Sequence, residues 1–351
     1  MLKRTYSGKR VFITGHTGFK GSWLSLWLTM LGARVHGYSL LPPSSPYMFD
    51  LIGLDNDVSG SHGDIRDLDS LRRAMTDFAP DIVIHMAAQP LVRRSYVEPV
   101  ETFSTNVLGT VNVMEAVRQT PSVQVMVNVT SDKCYENTEA ARPFRESDPM
   151  GGSDPYSASK GCAELAATAW NRSFFQDGGP SMVSVRAGNV IGGGDFGEDR
   201  LLPDMVRAYS RGEAVQIRSP KAIRPWQFVL EPLSGYLQLA QEAFLGNRDC
   251  VGGWNFGPES EDTQTVGEVV DSFTTRWGDG ARCEMDRNNH PHEAGILRLD
   301  CTKAKEKLGW TPRTEIGVAI DWSAEWYKAW HLNPQSLREL TEEQIQRFET
   351  M

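Results

Sequence analysis

Along its first half the chain alternates short apolar runs with longer amphipathic segments. Val11, Phe12 and Ile13 form one such run. It is followed by the segment Thr14 to Gly21, which holds three glycines, and then by Ser22 to Leu31, where Trp23, Leu24, Leu26, Trp27, Leu28 and Leu31 cover a wide arc of a helix. Strand and helix go on alternating in this way. Ala33 to Leu40 reads as a second strand, residues 42–46 as a loop, Leu68 to Phe78 as a helix and Asp81 to Gln89 as an apolar strand ending in small residues. Leu91 to Asn106 mixes basic and apolar positions and runs on into a helix reaching Arg118; Val123 to Val129 is again a strand. A helix opens at Pro155 and runs to about Phe175, and Ser181 to Arg186 is a sixth strand. Val11 to Ile13, Asp81 to Gln89 and Val123 to Val129 read as apolar strands, the signature of a parallel sheet covered on both faces. The expected fold is α/β, a Rossmann-like doubly wound parallel sheet with a smaller mixed α/β carboxyl-terminal domain.

Beyond Arg186 the pattern loosens. Ala187 to Asp195 is too rich in glycine for a helix or a central strand. Leu202 to Arg211 is helical, Ala214 to Arg218 strand-like, Arg224 to Val229 alternates like a strand, and Glu231 to Phe244 is a helix. Trp254 to Gly257 closes a short strand, Val266 to Trp277 and Ile316 to Trp330 are helices, and Ser336 to Met351 is a charged segment expected to form a peripheral helix. The expected division is residues 1–186 as the first domain, with segments returning to it near 228–257, and 187–351 as largely the second.

Composition narrows the function. With 351 residues, 40% hydrophobic and 23% charged, the chain can bury a sizeable core, and its net charge of −9 argues against a general nucleic-acid binder. No apolar run approaches the roughly 18–20 residues of a membrane span. Residues 1–6 lead into the first strand without a signal-peptide core, so a cytoplasmic protein is expected. The five cysteines form no CxxC pair and the histidines no metal-binding spacing, so no metal is expected.

The glycine turn supplies the first chemistry. Gly15, Gly18 and Gly21 let backbone approach a pyrophosphate at a helix amino terminus, a dinucleotide site. The acidic residue that usually closes the second strand on the ribose is missing, and no arginine stands there for a 2′-phosphate, so this stretch leaves NAD and NADP both open. Asp64 either meets the adenine edge or serves as a helix cap, a role Asp67 can also fill. Thr130 to Tyr135 places dense polar residues directly after a buried strand, where open α/β sheets bind ligands. Tyr156 and Lys160 stand at i and i+4 on one helix face.

Gly15, Gly18, Gly21, Asp64, Ala87, Ala88, Asn106, Ser131, Tyr156, Lys160 and Arg186 to Asn189 together resemble the extended short-chain dehydrogenase/reductase family, from about residue 8 to 330. Within it the chain is similar to the nucleotide-sugar 4,6-dehydratases. Residues 130–135 and 224–232 look like the signatures of those acting on CDP-D-glucose. The resemblance implies NAD held by Gly15, Thr17, Gly18, Phe19, Gly21, Asp64, Ile65, Ala87, Ala88, Asn106, Tyr156 and Lys160. It implies nucleotide-sugar contacts at Gln89, Ser131, Asn189, Arg200, Arg218, Arg224 and His292, with Gln216 and Arg218 near the base. Tyr156 would be the base for the C4 hydroxyl, its pKa lowered by Lys160, with Ser131 on the reacting oxygen. Asp132 would protonate the leaving C6 hydroxyl. Lys133 would take the C5 proton, or, if charged, stabilise the enolate; related dTDP-glucose dehydratases carry glutamate there. Trp226 and Trp254 read as core or as stacking platforms, and Arg224 as a phosphate ligand or a salt-bridge partner. A homodimer built on helices around 98–118 and 157–175 is implied, and a product that feeds dideoxysugar synthesis for surface polysaccharide (O-antigen, lipopolysaccharide). The competing readings are a nucleotide-sugar epimerase or decarboxylase, which has no need of Asp132 and Lys133, and a non-catalytic NAD-binding protein, which has no need of the Ser131/Tyr156/Lys160 set.

Overall fold

The computed structural model describes residues 2–42, 45–137, 142–176, 178–259, 263–278, 280–286 and 297–351. Seven strands form the central sheet: β1 (Arg10–Thr14), β2 (Arg34–Ser39), β3 (Ser59–His62), β4 (Ile82–His85), β5 (Val125–Val129), β6 (Ser181–Ala187) and β7 (Gly252–Phe256). Their order is β7-β6-β5-β4-β1-β2-β3 and every pairing is parallel. The chain therefore reverses direction across the sheet between β1 and β4, the switch point beside which open α/β sheets take their ligands.

Alternate residues of each strand enter two cores. Val11, Ile13, Ile82, Ile84, Val125, Val127, Val183 and Val185 pack on one side with α1 (Phe19–Met30), while Phe12, Val83, Met126 and Met182 pack on the other with α2 (Leu68–Phe78), α3 (Gly109–Arg118) and α4 (Pro155–Phe174). Further along the chain come α5 (Leu201–Tyr209), α6 (Leu230–Phe244), α7 (Val266–Trp277), α8 (Ile316–Leu332) and α9 (Leu337–Thr350). Helix α6 lies against β5 and β6, so residues 230–256 return to the main sheet. Short strand pairs, 190–191 with 227–228, 223–224 with 264–265 and 214–217 with 282–285, build the remaining part.

Four expectations change. Residues 2–6 form a helical turn before β1, rather than leading straight into it. Residues 91–106, read as a mixed stretch leading into a helix to Arg118, are themselves helical over Val92–Val97 and Pro99–Phe103 and join α3 through a π-helical turn at Ser104–Leu108. Residues 224–229 are not one strand: Pro225 and Trp226 separate two strand pieces, and Val229 already caps α6. The charged segment expected to be peripheral is α9, which buries Leu337, Ile345 and Phe348; Phe348 meets Trp27 of α1 edge-on at 5.8 Å.

Candidate active site

Two of the three glycines are required by the fold, and the third is not. Gly15 has φ +76°, and a Cβ there would lie 2.7 Å from the Ala87 amide just past β4. A Cβ on Gly21 would lie 2.2 Å from the Gly15 carbonyl oxygen. Gly18 has φ −72°, is exposed, and a Cβ on it would meet nothing nearer than 3.4 Å. It caps α1 without a side-chain bond, leaving first-turn N–H groups facing an open cradle beside the switch point. A pyrophosphate fits this cradle.

A buried relay fixes the other wall. The Ala87 N–H donates to Thr14 Oγ1 (3.2 Å), which lies 2.7 Å from His85 Nδ1; His85 Nε2 lies 2.9 Å from Thr110 Oγ1, and that hydroxyl donates to the Asn106 carbonyl (2.7 Å). Because Thr110 donates onward, the network assigns the His85 proton to Nε2. Burial pushes the His85 pKa down to about 3, and Lys160 acts in the same direction.

Several residues expected at the cofactor also bond within the protein. Asn106, within the π turn, uses its whole amide on the protein: Oδ1 accepts from the Gln89 N–H (2.8 Å), and Nδ2 donates to the Gln89 carbonyl (3.0 Å) and Ser159 Oγ (2.9 Å). Gln89, expected on the substrate, donates to Thr102 Oγ1 (2.8 Å) and the Leu91 carbonyl (3.1 Å) and accepts from the Leu91 N–H (2.6 Å), so it fastens its own loop. Ile65 is buried under Gly109 in the core. The Thr17 hydroxyl is spent on Ser39 (3.0 Å). Asp64 does not cap α2, since Asp67 does; its carboxylate grips Arg66, whose hydrogen bond lowers the Asp64 pKa. Phe19 is half-buried, its ring toward Gly192; Ala88 and Ala87 line the strand end with nothing larger than a methyl group.

The catalytic candidates do converge. Ser131 caps a single 3-10 turn, Asp132–Cys134, accepting from the Lys133 N–H (3.3 Å) and donating to Asp132 Oδ1 (3.0 Å). Asp132 is 1% exposed, and Lys133 Nζ stands 3.3 Å from its Oδ1. Its other oxygen, Oδ2, is buried without a partner among the described residues. Helix α4 starts from an Asp154 cap followed by Pro155, which sets Tyr156 and Lys160 facing this turn. Burial pushes Tyr156 up to about 12; a hydrogen bond with Ser131 and the charge of Arg200 oppose it, while Asp132 raises it further. Here Ser131 and Arg200 act to make Tyr156 more acidic, and burial outweighs both. Lys160 is itself lowered to about 8 by burial.

Arg200 Nη1 donates to both carboxylate oxygens of Asp195 (3.0 and 2.9 Å), and its charge acts on Tyr156. Asn189 has a buried Oδ1 without a partner among the described residues. Arg224 is buried, one N–H donating to the Ile223 carbonyl (3.0 Å). Arg218 lies apart, at a cleft of about 340 Å³ where Asp199 holds both Arg218 (3.2 Å) and Arg93 (2.8 Å). Gln216 lines the same cleft and donates to Glu284. Trp226 and Trp254 are core residues; Trp254 donates to the Cys250 carbonyl (2.7 Å). His292 lies outside the described residues. Sequence reasoning passed over His16 and Lys20. The His16 ring fills the space above Gly37, and its pKa is lowered to about 4 by burial and the charges of His36 and His62. Lys20 comes close to Lys160, Arg200 and Asp132, and burial and the two neighbouring cations lower it to about 8. A lysine inside a glycine turn was the available signal.

A glycine cradle at the switch point of a parallel sheet, with serine, tyrosine and lysine at the next strand end and helix, defines the extended short-chain dehydrogenase/reductase class. The chain belongs to the family described as GDP-mannose 4,6 dehydratase, which matches residues 12–321. It is 54% identical over 334 residues, 93% of each chain, to a CDP-glucose 4,6-dehydratase of Salmonella typhimurium. It is 29% identical to a probable dTDP-glucose 4,6-dehydratase of Sinorhizobium fredii, covering 91% of this chain and 92% of that one. Among solved structures, a dTDP-glucose 4,6-dehydratase of Streptomyces venezuelae with NAD and TYD bound superposes with a TM-score of 0.77 at 23% identity, covering 94% of this chain and 99% of that one. An epimerase of Methanothermobacter thermautotrophicus gives 0.80 at 22%, covering 97% and 96%.

Proposed function

We propose that this protein is an NAD-dependent hydro-lyase that converts CDP-D-glucose to CDP-4-dehydro-6-deoxy-D-glucose. The observation that carries this reading is the Asp132–Lys133 pair beside Ser131 and Tyr156, with the buried Oδ2 of Asp132 left without a partner among the described residues. An epimerase has no use for such a pair.

Gly15, Gly18, Gly21 and the first turn of α1 would hold the NAD pyrophosphate, and Ala87 and Ala88 leave room beside it. When bound, NAD supplies the acceptor for the C4 hydrogen with its electron pair, the donor that returns it at C6, and a positive nicotinamide ring that favours the Tyr156 phenolate. Tyr156 takes the C4 hydroxyl proton, Ser131 hydrogen-bonds the same oxygen, and Lys160 holds a positive charge alongside. The resulting ketone acidifies C5–H. Lys133 Nζ, 3.3 Å from Asp132 Oδ1, is the candidate to take that proton as an amine or, while charged, to stabilise the enolate that its loss leaves. As the C5 proton is removed, Asp132 is the candidate acid for the C6 hydroxyl; the C6–O bond breaks and water leaves, and C5 takes back a proton when C6 is reduced. Asn189, Arg200 and Arg224 are the candidates for the sugar diphosphate, Arg218 and Gln216 for the base.

We further infer a homodimer through the helices around 98–118 and 157–175, which carry exposed Val100, Leu108, Leu165 and Phe174. Among the described residues no helix is long and apolar enough to cross a membrane, and a nucleotide-sugar substrate fits a cytoplasmic location.

The test is incubation with CDP-, dTDP-, UDP- and GDP-hexoses, with and without added NAD, followed by mass spectrometry. Loss of one water from CDP-glucose alone is expected. Isomerised sugar of unchanged mass would move the assignment to an epimerase.

A further inference from the structure

The turn Ser131–Asp132–Lys133 is gripped on both sides by one buried ion pair. Thr130, immediately before it, donates its hydroxyl to Glu164 Oε1 (2.5 Å). Glu164 lies on α4, one helical turn beyond Lys160 and on the same face. Its other oxygen, Oε2, accepts from Arg186 Nη2 of β6 at 2.6 Å. Arg186 Nη1 in turn donates to the Tyr135 hydroxyl (2.8 Å), just beyond the turn, with its guanidinium 5.1 Å above the Tyr135 ring. Tyr135 is held from the far side too, donating to Asn255 Oδ1 (2.6 Å) and stacking on Phe144 at 5.0 Å. Space is reserved for this arrangement, since a Cβ on Gly253 would lie 2.4 Å from Arg186 Nη2.

Glu164 and Arg186 are 3% and 5% exposed at their side chains. A buried ion pair adds little net stability, because desolvation offsets the Coulombic gain. What this pair does supply is a fixed distance between two elements that must act on one sugar: the strand end with Ser131, Asp132 and Lys133, and the helix with Tyr156 and Lys160.

We propose that Glu164, with Thr130 and Arg186, is a positioning residue that sets the register of the elimination pair against the oxidation pair. The inference rests on the dehydratase reading. Thr130 and Arg186 bond at the flanks of the turn, and Glu164 also raises the Lys160 pKa, so loss of the Thr130 hydroxyl is the change that displaces the turn without altering the charge beside Lys160. A displacement of about 1 Å costs on the order of 10²-fold in rate.

The experiment compares Thr130→Val, Thr130→Ser and Glu164→Gln with the unaltered protein, measuring kcat and KM for CDP-glucose, NAD affinity by calorimetry, and thermal melting. Thr130→Val and Glu164→Gln are expected to lower kcat by about 10²-fold with KM and NAD affinity within about twofold, and Thr130→Ser, which keeps the hydroxyl, to restore kcat. If Glu164→Gln does not fold, Thr130→Val carries the test alone, since it deletes one hydroxyl. Unchanged kcat in folded Thr130→Val overturns the proposal, as does a loss that Thr130→Ser fails to rescue. If the unaltered protein itself forms no dehydrated product, it is the dehydratase reading that fails.

Discussion

Replacing Gly18 with alanine should separate ligand binding from folding. At φ −72° alanine is unstrained, and its Cβ would make only an ordinary contact with the Gly15 carbonyl at 3.4 Å. Alanine is a poorer helix cap than glycine, by up to about 1 kcal/mol, but it stiffens the unfolded chain by roughly 0.4–1 kcal/mol. These nearly cancel, so the melting transition should shift by no more than a few degrees. The new methyl group, however, stands over the first turn of α1, where the pyrophosphate must approach backbone N–H groups. Losing one charge-assisted hydrogen bond there costs about 1.5–3 kcal/mol, a roughly 10- to 150-fold rise in Kd for NAD. Isothermal titration with NAD measures this directly, and Gly21→Ala, whose Cβ would lie 2.2 Å from a backbone oxygen, is the control expected to disturb the fold. Wild-type affinity in Gly18→Ala would refute the placement of the phosphates.

The same geometry fixes other outcomes. Asp132→Asn should keep NAD binding and C4 oxidation but slow dehydration by about 10²–10⁴-fold, so reduced dinucleotide should accumulate on adding CDP-glucose; product formation at the normal rate would remove Asp132 from the mechanism. Tyr156→Phe should abolish turnover while NAD still binds in titration calorimetry. His85 and His16 are depressed to about 3 and about 4 from 6.5. The unfolded chain therefore binds protons that the folded one refuses below pH 6.5, and stability present above that pH is lost as pH falls. Each imidazole should cost roughly 2 kcal/mol between pH 6.5 and 5, so urea midpoints that stay flat over that window would contradict the burial argument. Trp27→Ala removes a buried ring and its hydrogen bond to Glu349, and should cost about 3–5 kcal/mol in chemical denaturation; a loss under about 1 kcal/mol would show that α9 contributes little.

What sequence disclosed depended on how each residue is held. Strands β1, β4, β5 and β6 lie inside the sheet, and their Val-, Ile-, Met- and Phe-rich segments announced them. Strand β3 did not, because Ser59–His62 is an edge strand of polar and small residues with little apolar surface to bury. Ser131, Asp132, Lys133, Tyr156 and Lys160 were legible because each sits at a strand end or helix start that the pattern had already located. Gln89, Asn106 and Ile65 are a different case. They carry the right residue types at the right places, but only the three-dimensional contacts reveal that their side chains are spent on the protein. Lys20 could not be placed by periodicity either, since its neighbours Lys160, Arg200 and Asp132 come from three other segments. The π-helical turn at Ser104–Leu108 packs against α4 and leaves no trace in composition.

The contact between Trp27 and the Phe348–Glu349 end of α9 has a consequence for how the protein is made. The two sides are 322 residues apart. At 5–20 residues per second, α1 emerges from the ribosome roughly 16–64 s before the helix that covers its outer face. During that interval the Trp27 indole lacks its native cover, and a nascent chain exposes the same apolar strip that a chaperone would recognise. Chains stopped short of α9 should thus be captured by chaperones or aggregate, even with every catalytic residue already synthesised.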